Sequence, residues 1–452
     1  MSGSERVICS NCVVLSDGIR PAAIVVRDGA ISEITDPKRA TSSDTIDFGD
    51  SVVMPGIVDT HVHINAPGRT QWEGFETATM AAAAGGVTTL IEMPLNSIPA
   101  TTTAAAFRQK LASAAGKLFV DVGFWGGVVP GNLAELSGLY EVGVFGFKCF
   151  LVPSGVPEFE AVNESDLRLA FPELARLDAP LLAHAELPGA INDATRKISH
   201  KDPRSYSTWL LSHPSAAEDQ AIELLIRLSR EYKARVHIVH LSSAAAAPMI
   251  RAAKANGTKL TVETCPHYLT ITAEDIPDGA TQFKCAPPIR EAANQERLWD
   301  ALRDRTIDFV ASDHSPAPPQ MKCTDTGDYM QAWGGIASLQ LTLPLLWTSA
   351  HKRGFGIGDV ARWLCREPAR MAGLSRKGEI ASGRDADLVV WDPDQSFRVQ
   401  PEKMFFRHKL TPYSGRTLFG VVQSTFLRGQ EIYTSGHFPA GRSGRVLRRG
   451  EA

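Results

Sequence analysis

Short, nearly continuous apolar runs recur through the middle of the chain. Each is followed by a stretch in which apolar positions return every three or four residues. The runs are "GIVDTHVHI", "VTTLIEMP", "FVDVGFWGGVV", "VFGFKCFLV", "PLLAHAE", "RVHIVHLS", "LTVETCPHYL" and "IDFVASDHSP". Runs of this kind, rich in Val and Ile, predict strands buried on both faces. The stretches between them, such as "FETATMAAAAGG" and "AAEDQAIELLIRLSREYK", predict helices. Eight such βα units predict an α/β protein built on a (β/α)8 TIM barrel. An open doubly wound sheet would show the same alternation, but it normally carries a glycine-rich phosphate loop after an early strand. Neither GxGxxG nor a Walker A motif is present.

The two ends of the chain read differently. "RVICSNCVVLSDG", "AAIVVRDGAISEIT" and "DTIDFGDSVVMPG" at the start are β-type runs cut by Asp-Gly and Gly turns. "KGEIASGRDADLVVWDPD" and "VVQSTFLRGQEIYTSG" repeat that grammar near the end. Residues 1–53 and 376–440 are therefore expected to meet in one small composite β-sandwich. The barrel would span 54–375, and a basic tail 441–452.

Composition narrows the function classes. At 452 residues, 44% hydrophobic and 21% charged, the chain can bury a large core. A formal net charge of −3 without a dominant basic patch argues against nucleic acid as a partner. The tail "GRSGRVLRRG" is expected to be a solvated or subunit-contacting end rather than a binding arm. No apolar run approaches the roughly 20 residues of a membrane helix, and "MSGSERVICS" is no signal peptide. Seven scattered cysteines fit a reducing cytoplasm better than a disulfide framework. Cys9 and Cys12 have CxxC spacing, but no second pair completes a zinc site, and they are read as ordinary strand residues.

Chemistry in such a barrel sits at the carboxyl ends of the strands. The first run ends in His61-Val62-His63, and two-residue spacing puts both imidazoles on one face, about 6–7 Å apart along the backbone. The fourth carries Lys148, the fifth His184, the sixth His240 and the eighth Asp313. Taken singly, each could be a hydrogen-bonded core residue; jointly they converge on one rim. His237 points away from His240 on its strand and is read as structural. His314 is read as a packing residue or a support for the ligands, His267 could line the site but is read as structural, and His200, His213, His351, His408 and His437 are read as surface or packing residues.

Lys148 sits inside the apolar run "GVFGFKCFLVPSG", where a charged amine costs several kcal/mol unless paired or carried to water. Four neutral histidines and one aspartate suit two divalent ions such as zinc, cobalt, nickel or manganese. That centre would be strongly positive, and a protonated lysine would add to the excess. An apolar strand lowers a lysine pKa and makes the amine neutral and reactive.

The set "VMPGIVDTHVH", "AAAAGGVTTLIEMP", "GFKCFL", "CPHYLT", "KCAPPIR" and "SDHSP" resembles the cyclic amidohydrolases. These binuclear metal hydrolases include dihydroorotase, hydantoinase/dihydropyrimidinase and allantoinase. The likeness runs from about Ser51 to "GRDADLVVWDPD", and the β-rich ends match the family's composite sandwich. It implies a more buried metal at His61, His63, Lys148 and Asp313, and a more exposed one at Lys148, His184 and His240. Carbon dioxide would convert Lys148 into a bridging carbamate, and zinc is the first expectation for the metals, with cobalt or manganese as alternatives. Asp313 would move the proton in catalysis. A homo-oligomer, tetramer or dimer, is also implied.

Three features point within the family. Dihydroorotases place a carboxylate-binding arginine two residues after the HxH motif; here that position is Asn65, which implies a neutral substrate. Hydantoinases place a tyrosine five residues after the lysine; here that position is Pro153. "NAPGRTQWEGFETAT", "GFKCFLVPSGVPEF" and "AWGGIASLQLTLP" resemble the allantoinase branch, apart from Ala66 and Ala317. That likeness implies ring-amide hydrolysis of allantoin to allantoate, a step of purine catabolism, through a metal-bridged hydroxide at a binuclear centre. The alternatives are a hydantoinase acting on other cyclic ureides, or a non-catalytic scaffold. Substrate contacts are expected from the backbone around Ala286 and Gly334, and from Asn96 and Ser315. Arg69 is expected to serve a structural ion pair.

Overall fold

Each of the eight apolar runs contains a strand in the computed structural model, which describes residues 5–39 and 42–451. The first four residues of the 1–53 segment, residues 40 and 41 within it, and the last residue of the 441–452 tail lie outside the described residues. The barrel strands are Ile57–Val62, Val87–Glu92, Asp121–Phe124 continued by Gly126–Gly127, Phe147–Phe150, Leu181–His184, Val236–Ile238, Leu260–Thr264 and Phe309–Val310. Neighbours pair in parallel from the first to the eighth. A parallel bridge between Val62 and His314 closes the ring, and His63 N–H donates to the His314 carbonyl at 2.8 Å. The predicted (β/α)8 class is the observed one.

One departure lies in the third strand. It breaks at Trp125, whose indole N–H donates across the barrel to the Thr60 carbonyl at 2.8 Å. The piece before the break pairs with the second strand and the piece after it with the fourth.

The helices bury the faces that their spacing dictates. Glu164–Leu177 sinks Leu167, Ala170, Phe171 and Leu174, a stripe at i, i+3, i+4 and i+7. Asn163 caps it by accepting from the Ser165 and Asp166 amides, while Asp166 returns a bond to the Asn163 amide. After the fifth strand, Pro188–Ile198 and Tyr206–Ser212 are added before the outer helix Ser215–Tyr232, and they contribute to the rim of the barrel mouth.

The two chain ends form one hydrogen-bonded sheet. Glu5–Leu15 pairs with Gly18–Arg27 and Val52–Pro55, and the carboxy-terminal Leu388–Arg398 pairs antiparallel with Val52–Pro55. Thr417–Leu427 and Gln430–Thr434 extend it. Ile8, Val13, Ile24, Val53, Leu388 and Phe426 make a core separate from the barrel's.

The tail, expected as a solvated or subunit-contacting end, does leave Arg442, Arg445, Arg448 and Arg449 exposed, but it is also tied down. It runs back along its own barrel: Val446 bridges to Val122, and Leu447 N–H donates to the Val122 carbonyl at 2.8 Å. Two physical reasons hold it there. Leu447 is buried, and Asp121 accepts from the Arg445 amide at 3.0 Å and from the Arg428 guanidinium at 2.6 Å. Beside them Lys377 reaches Asp121, Asp385 and Asp387 at 2.6–3.0 Å. This ionic knot lies at the amino-terminal end of the barrel strands, opposite the site described next.

Candidate active site

At the carboxyl ends of the strands, one cavity of about 380 Å³ is bordered by all six predicted ligand residues and by Asn96, Ala286, Ser315 and Gly334. The imidazole and carboxylate ligand atoms of His61, His63 and Asp313 lie within 4.8 Å of one another. His61 Nε2 is 3.2 Å and His63 Nε2 is 3.6 Å from Asp313 Oδ1. His240 stands next to this group, its ring centre 5.4 Å from that of His61 and 4.6 Å from that of His184. His184 stacks on Phe150 at 4.7 Å.

Backbone strain marks the same rim. His240 (φ 40°) and Asp313 (φ 44°) both adopt the left-handed region, as do Asn65 and Asn96. Asn and Asp tolerate that conformation; for His240 it costs on the order of 1 kcal/mol and is held by the surrounding structure.

Lys148 is fully buried, and among the described residues its Nζ has no hydrogen-bond partner; it sits 5.0 Å over the Phe150 ring. Burial pulls its amine down to about 8, against the opposing charges of Glu263 and Asp313. Burial likewise holds His63 and His240 well below the ordinary histidine value, helped by neighbouring His61 and His184 respectively and by Lys148. Neutral imidazoles are the form that binds a metal. Burial raises Asp313, with His61 and Lys148 opposing.

Two carboxylates that the sequence reading passed over orient these ligands. Glu263 Oε1 accepts from His61 Nδ1 at 2.5 Å, and its Oε2 lies 3.0 Å from His237 Nε2. Burial pushes Glu263 up, but the charge of His61 and the bonds from His237 and His61 hold it at about 2. Glu186 Oε2 takes His184 Nε2 at 2.8 Å, which leaves Nδ1 of that ring for a ligand. Carboxylates behind metal-binding histidines fix their tautomer and aim. Glu263→Gln should therefore weaken metal affinity about 10–100-fold, read by titration of the metal-depleted protein; unchanged affinity would remove Glu263 from this role.

His237, through Glu263, is structural as expected. So is His314, whose Nδ1 accepts from the Ser338 amide at 3.1 Å and whose Nε2 lies 3.4 Å from Glu73. His267, read as structural though able to line the site, has no partner on either ring nitrogen among the described residues and forms a second cluster with Cys265 and Asp313. His213, read as surface or packing, is corrected: it borders the cavity, its ring 4.1 Å from that of Trp209. The helices added after the fifth strand bring both there. Arg69 does make the expected ion pair, to Glu158 at 3.1 Å.

The ligand set fits divalent metal. Imidazoles and a carboxylate converge, and the only amine among them is buried, unpaired and shifted toward neutrality.

Comparison with known proteins follows the same line. The model of the amidohydrolase family matches residues 52–432. An allantoinase of Streptomyces avermitilis is 50% identical over 451 residues, covering 99% of this chain and 100% of that protein. An allantoinase of Saccharomyces cerevisiae is 44% identical, with 95% of each chain covered. Among solved structures, the L-hydantoinase (dihydropyrimidinase) of Arthrobacter aurescens superposes with a TM-score of 0.93 at 32% identity, over 99% of this chain and 100% of that one.

Proposed function

This chain belongs to the amidohydrolase family, and from that premise we infer that it is a metal-dependent hydrolase that opens the hydantoin ring of allantoin to give allantoate. The observation that carries the substrate is identity of 50% to an allantoinase across both full lengths. The cavity supports it. Its bordering cations are Lys148, at the ligand cluster, and Lys284, bound to loop carbonyls. Lys284 is thus engaged and Lys148 is assigned to the metals, so the site suits a neutral ring rich in amide groups. Pro153, not a tyrosine, borders it. Hydantoinases fit as a related family, and a scaffold that has lost its ligands is set aside because all six residues are present.

We assign the more buried ion to His61, His63, Lys148 and Asp313, and the more exposed one to Lys148, His184 and His240. When bound, two divalent ions supply an activated water and polarise the ring carbonyl. Zinc is our first assignment, with cobalt or manganese as alternatives. Lys148 would act as a carbamate, formed when its neutral amine adds to carbon dioxide and loses a proton. Asp313 takes the proton from the attacking water and passes it to the departing ring nitrogen as the C–O bond forms and the C–N bond breaks. Backbone groups at Ala286 and Gly334, with Asn96 and Ser315, would orient the ring. Among the described residues Asn96 Oδ1 has no partner of its own, as such a contact requires. We further assign a homo-oligomer, tetramer or dimer. The seven free cysteines fit a cytoplasmic setting, and no helix among the described residues is long and apolar enough to cross a membrane.

The test is ring opening of allantoin, hydantoin, dihydrouracil and dihydroorotate, side by side, after loading with zinc, manganese or cobalt in bicarbonate. A kcat/KM for allantoin at least about tenfold above the others is expected, a gap of ~1.4 kcal/mol. Equal or faster turnover of hydantoin would overturn the substrate assignment while leaving the metal site standing.

A further inference from the structure

Two buried lysines meet one loop at the edge of the cavity. Lys284 is 5% exposed and Lys322 4% exposed. Lys284 Nζ donates to the carbonyls of Ala332 at 2.6 Å and Met330 at 3.4 Å, and lies 4.1 Å from the Trp209 ring centre. Lys322 Nζ donates to the Trp333 carbonyl at 3.0 Å and to the Gly335 carbonyl. Four carbonyls within residues 330–335 thus converge on two ammonium groups. Burial pulls Lys284 down to about 8 and Lys322 to about 7, so holding these charges costs free energy that the fold supplies elsewhere.

A loop at a cavity mouth can turn its carbonyls to water at no such cost. This one turns them inward, and the main chain of Gly334 and Gly335 is left bordering the cavity. The loop is also locked to the end of the eighth strand. Ser315 N–H donates to the Ile336 carbonyl and Ser315 Oγ to the Asp313 carbonyl, both at 3.1 Å, while Gly335 N–H donates to the Lys284 carbonyl at 2.9 Å. Gly335 has φ +120°, and a Cβ there would lie 2.2 Å from the Ser315 carbonyl oxygen. The two chain segments meet at backbone distance, which only glycine permits.

We propose that Lys284 and Lys322 are positioning residues that staple the 330–335 loop, so that the main chain of Gly334 and Gly335 stays in register with Asp313 and fixes where the substrate ring sits. The proposal rests on the reading of this cavity as the site of ring opening. Replacing either ammonium by a methyl group leaves buried carbonyls without a donor. The loop then relaxes to satisfy them, and Gly334 moves with it. The ring then loses main-chain contacts that it keeps in both ground and transition state, a loss that reads in KM more than in kcat.

The experiment compares wild type, Lys322→Met and Lys322→Ala, each metal-loaded, for kcat and KM on allantoin, bound metal and Tm. KM is expected to rise at least about tenfold in Lys322→Met, with a smaller change in kcat and the same metal content. Ethylammonium, which replaces the missing amine, should bring the KM of Lys322→Ala back toward wild type. An unchanged KM in folded, metal-loaded Lys322→Met overturns the proposal. So does a Lys322→Ala whose Tm recovers with ethylammonium while its KM does not. If Lys322→Met does not fold, Lys284→Met is read in the same way, and a wild-type KM there overturns the proposal equally. A wild-type protein inactive on allantoin would instead overturn the functional reading on which the proposal stands.

Discussion

Lys148→Ala is expected to lose bound metal on dialysis and to lose turnover by on the order of 10³-fold. The argument starts from the empty surroundings of its Nζ: no acceptor, an aromatic ring 5.0 Å away and no exposure. An ammonium there would repel two divalent ions as well as resist burial. A carbamate on the same stem would supply the anion that we assign to be shared by the sites of His61, His63 and Asp313 and of His184 and His240. Removing the stem would leave the centre without the shared ligand assigned to it. Short carboxylates such as acetate or propionate should partly restore activity by occupying the vacated volume. Full metal content in Lys148→Ala with no such rescue would refute the bridging role. Growth of wild-type activity with added bicarbonate, measured on protein stripped of carbon dioxide at low pH, reads the same step independently.

Asp313→Asn separates proton transfer from metal binding. The amide keeps the shape and one oxygen, and the histidines are untouched, so part of the metal should stay bound. It cannot accept the proton of the attacking water, and general acid–base catalysis by a placed carboxylate contributes about 10²–10⁴-fold. Turnover of allantoin should fall by that factor while metal content falls far less. The backbone at this position favours the swap as a clean one, because a left-handed conformation is as accessible to Asn as to Asp. Retained activity in Asp313→Asn would remove it from the role of base.

Much of this site was legible because it consists of polar groups placed where apolar strands end. His61, His63, Lys148, His184, His240 and Asp313 stand out against Val, Ile and Leu neighbours, and strand periodicity assigns them to one rim. The same logic applied to Glu263, a carboxylate in "LTVETCPHYL", yet its task depends on His61 and His237 of other strands. That relation appears only once the barrel closes. Lys284 and Lys322 left no trace for a different reason: their partners are carbonyls, which every residue carries. His213 was misplaced because the helices inserted after the fifth strand bend back to the mouth, and helix period says nothing about where a helix docks. The tail was legible only in part. Its basic side chains do face water, as their charge suggests, but its course was not legible, because the main-chain amide of Arg445 donates to the buried Asp121, far away in sequence.

The composite sheet has a consequence for how the chain is made. Val52–Pro55 has its antiparallel partner in Leu388–Arg398, more than three hundred residues later. As synthesis proceeds, the amino-terminal strands emerge with an apolar edge, and the whole barrel is translated before that edge can be covered. At ~5–20 residues per second the wait is on the order of tens of seconds. Pairings this remote give a high contact order and slow final docking. Over that interval the unfinished strand edge is a surface open to misassembly or to a chaperone.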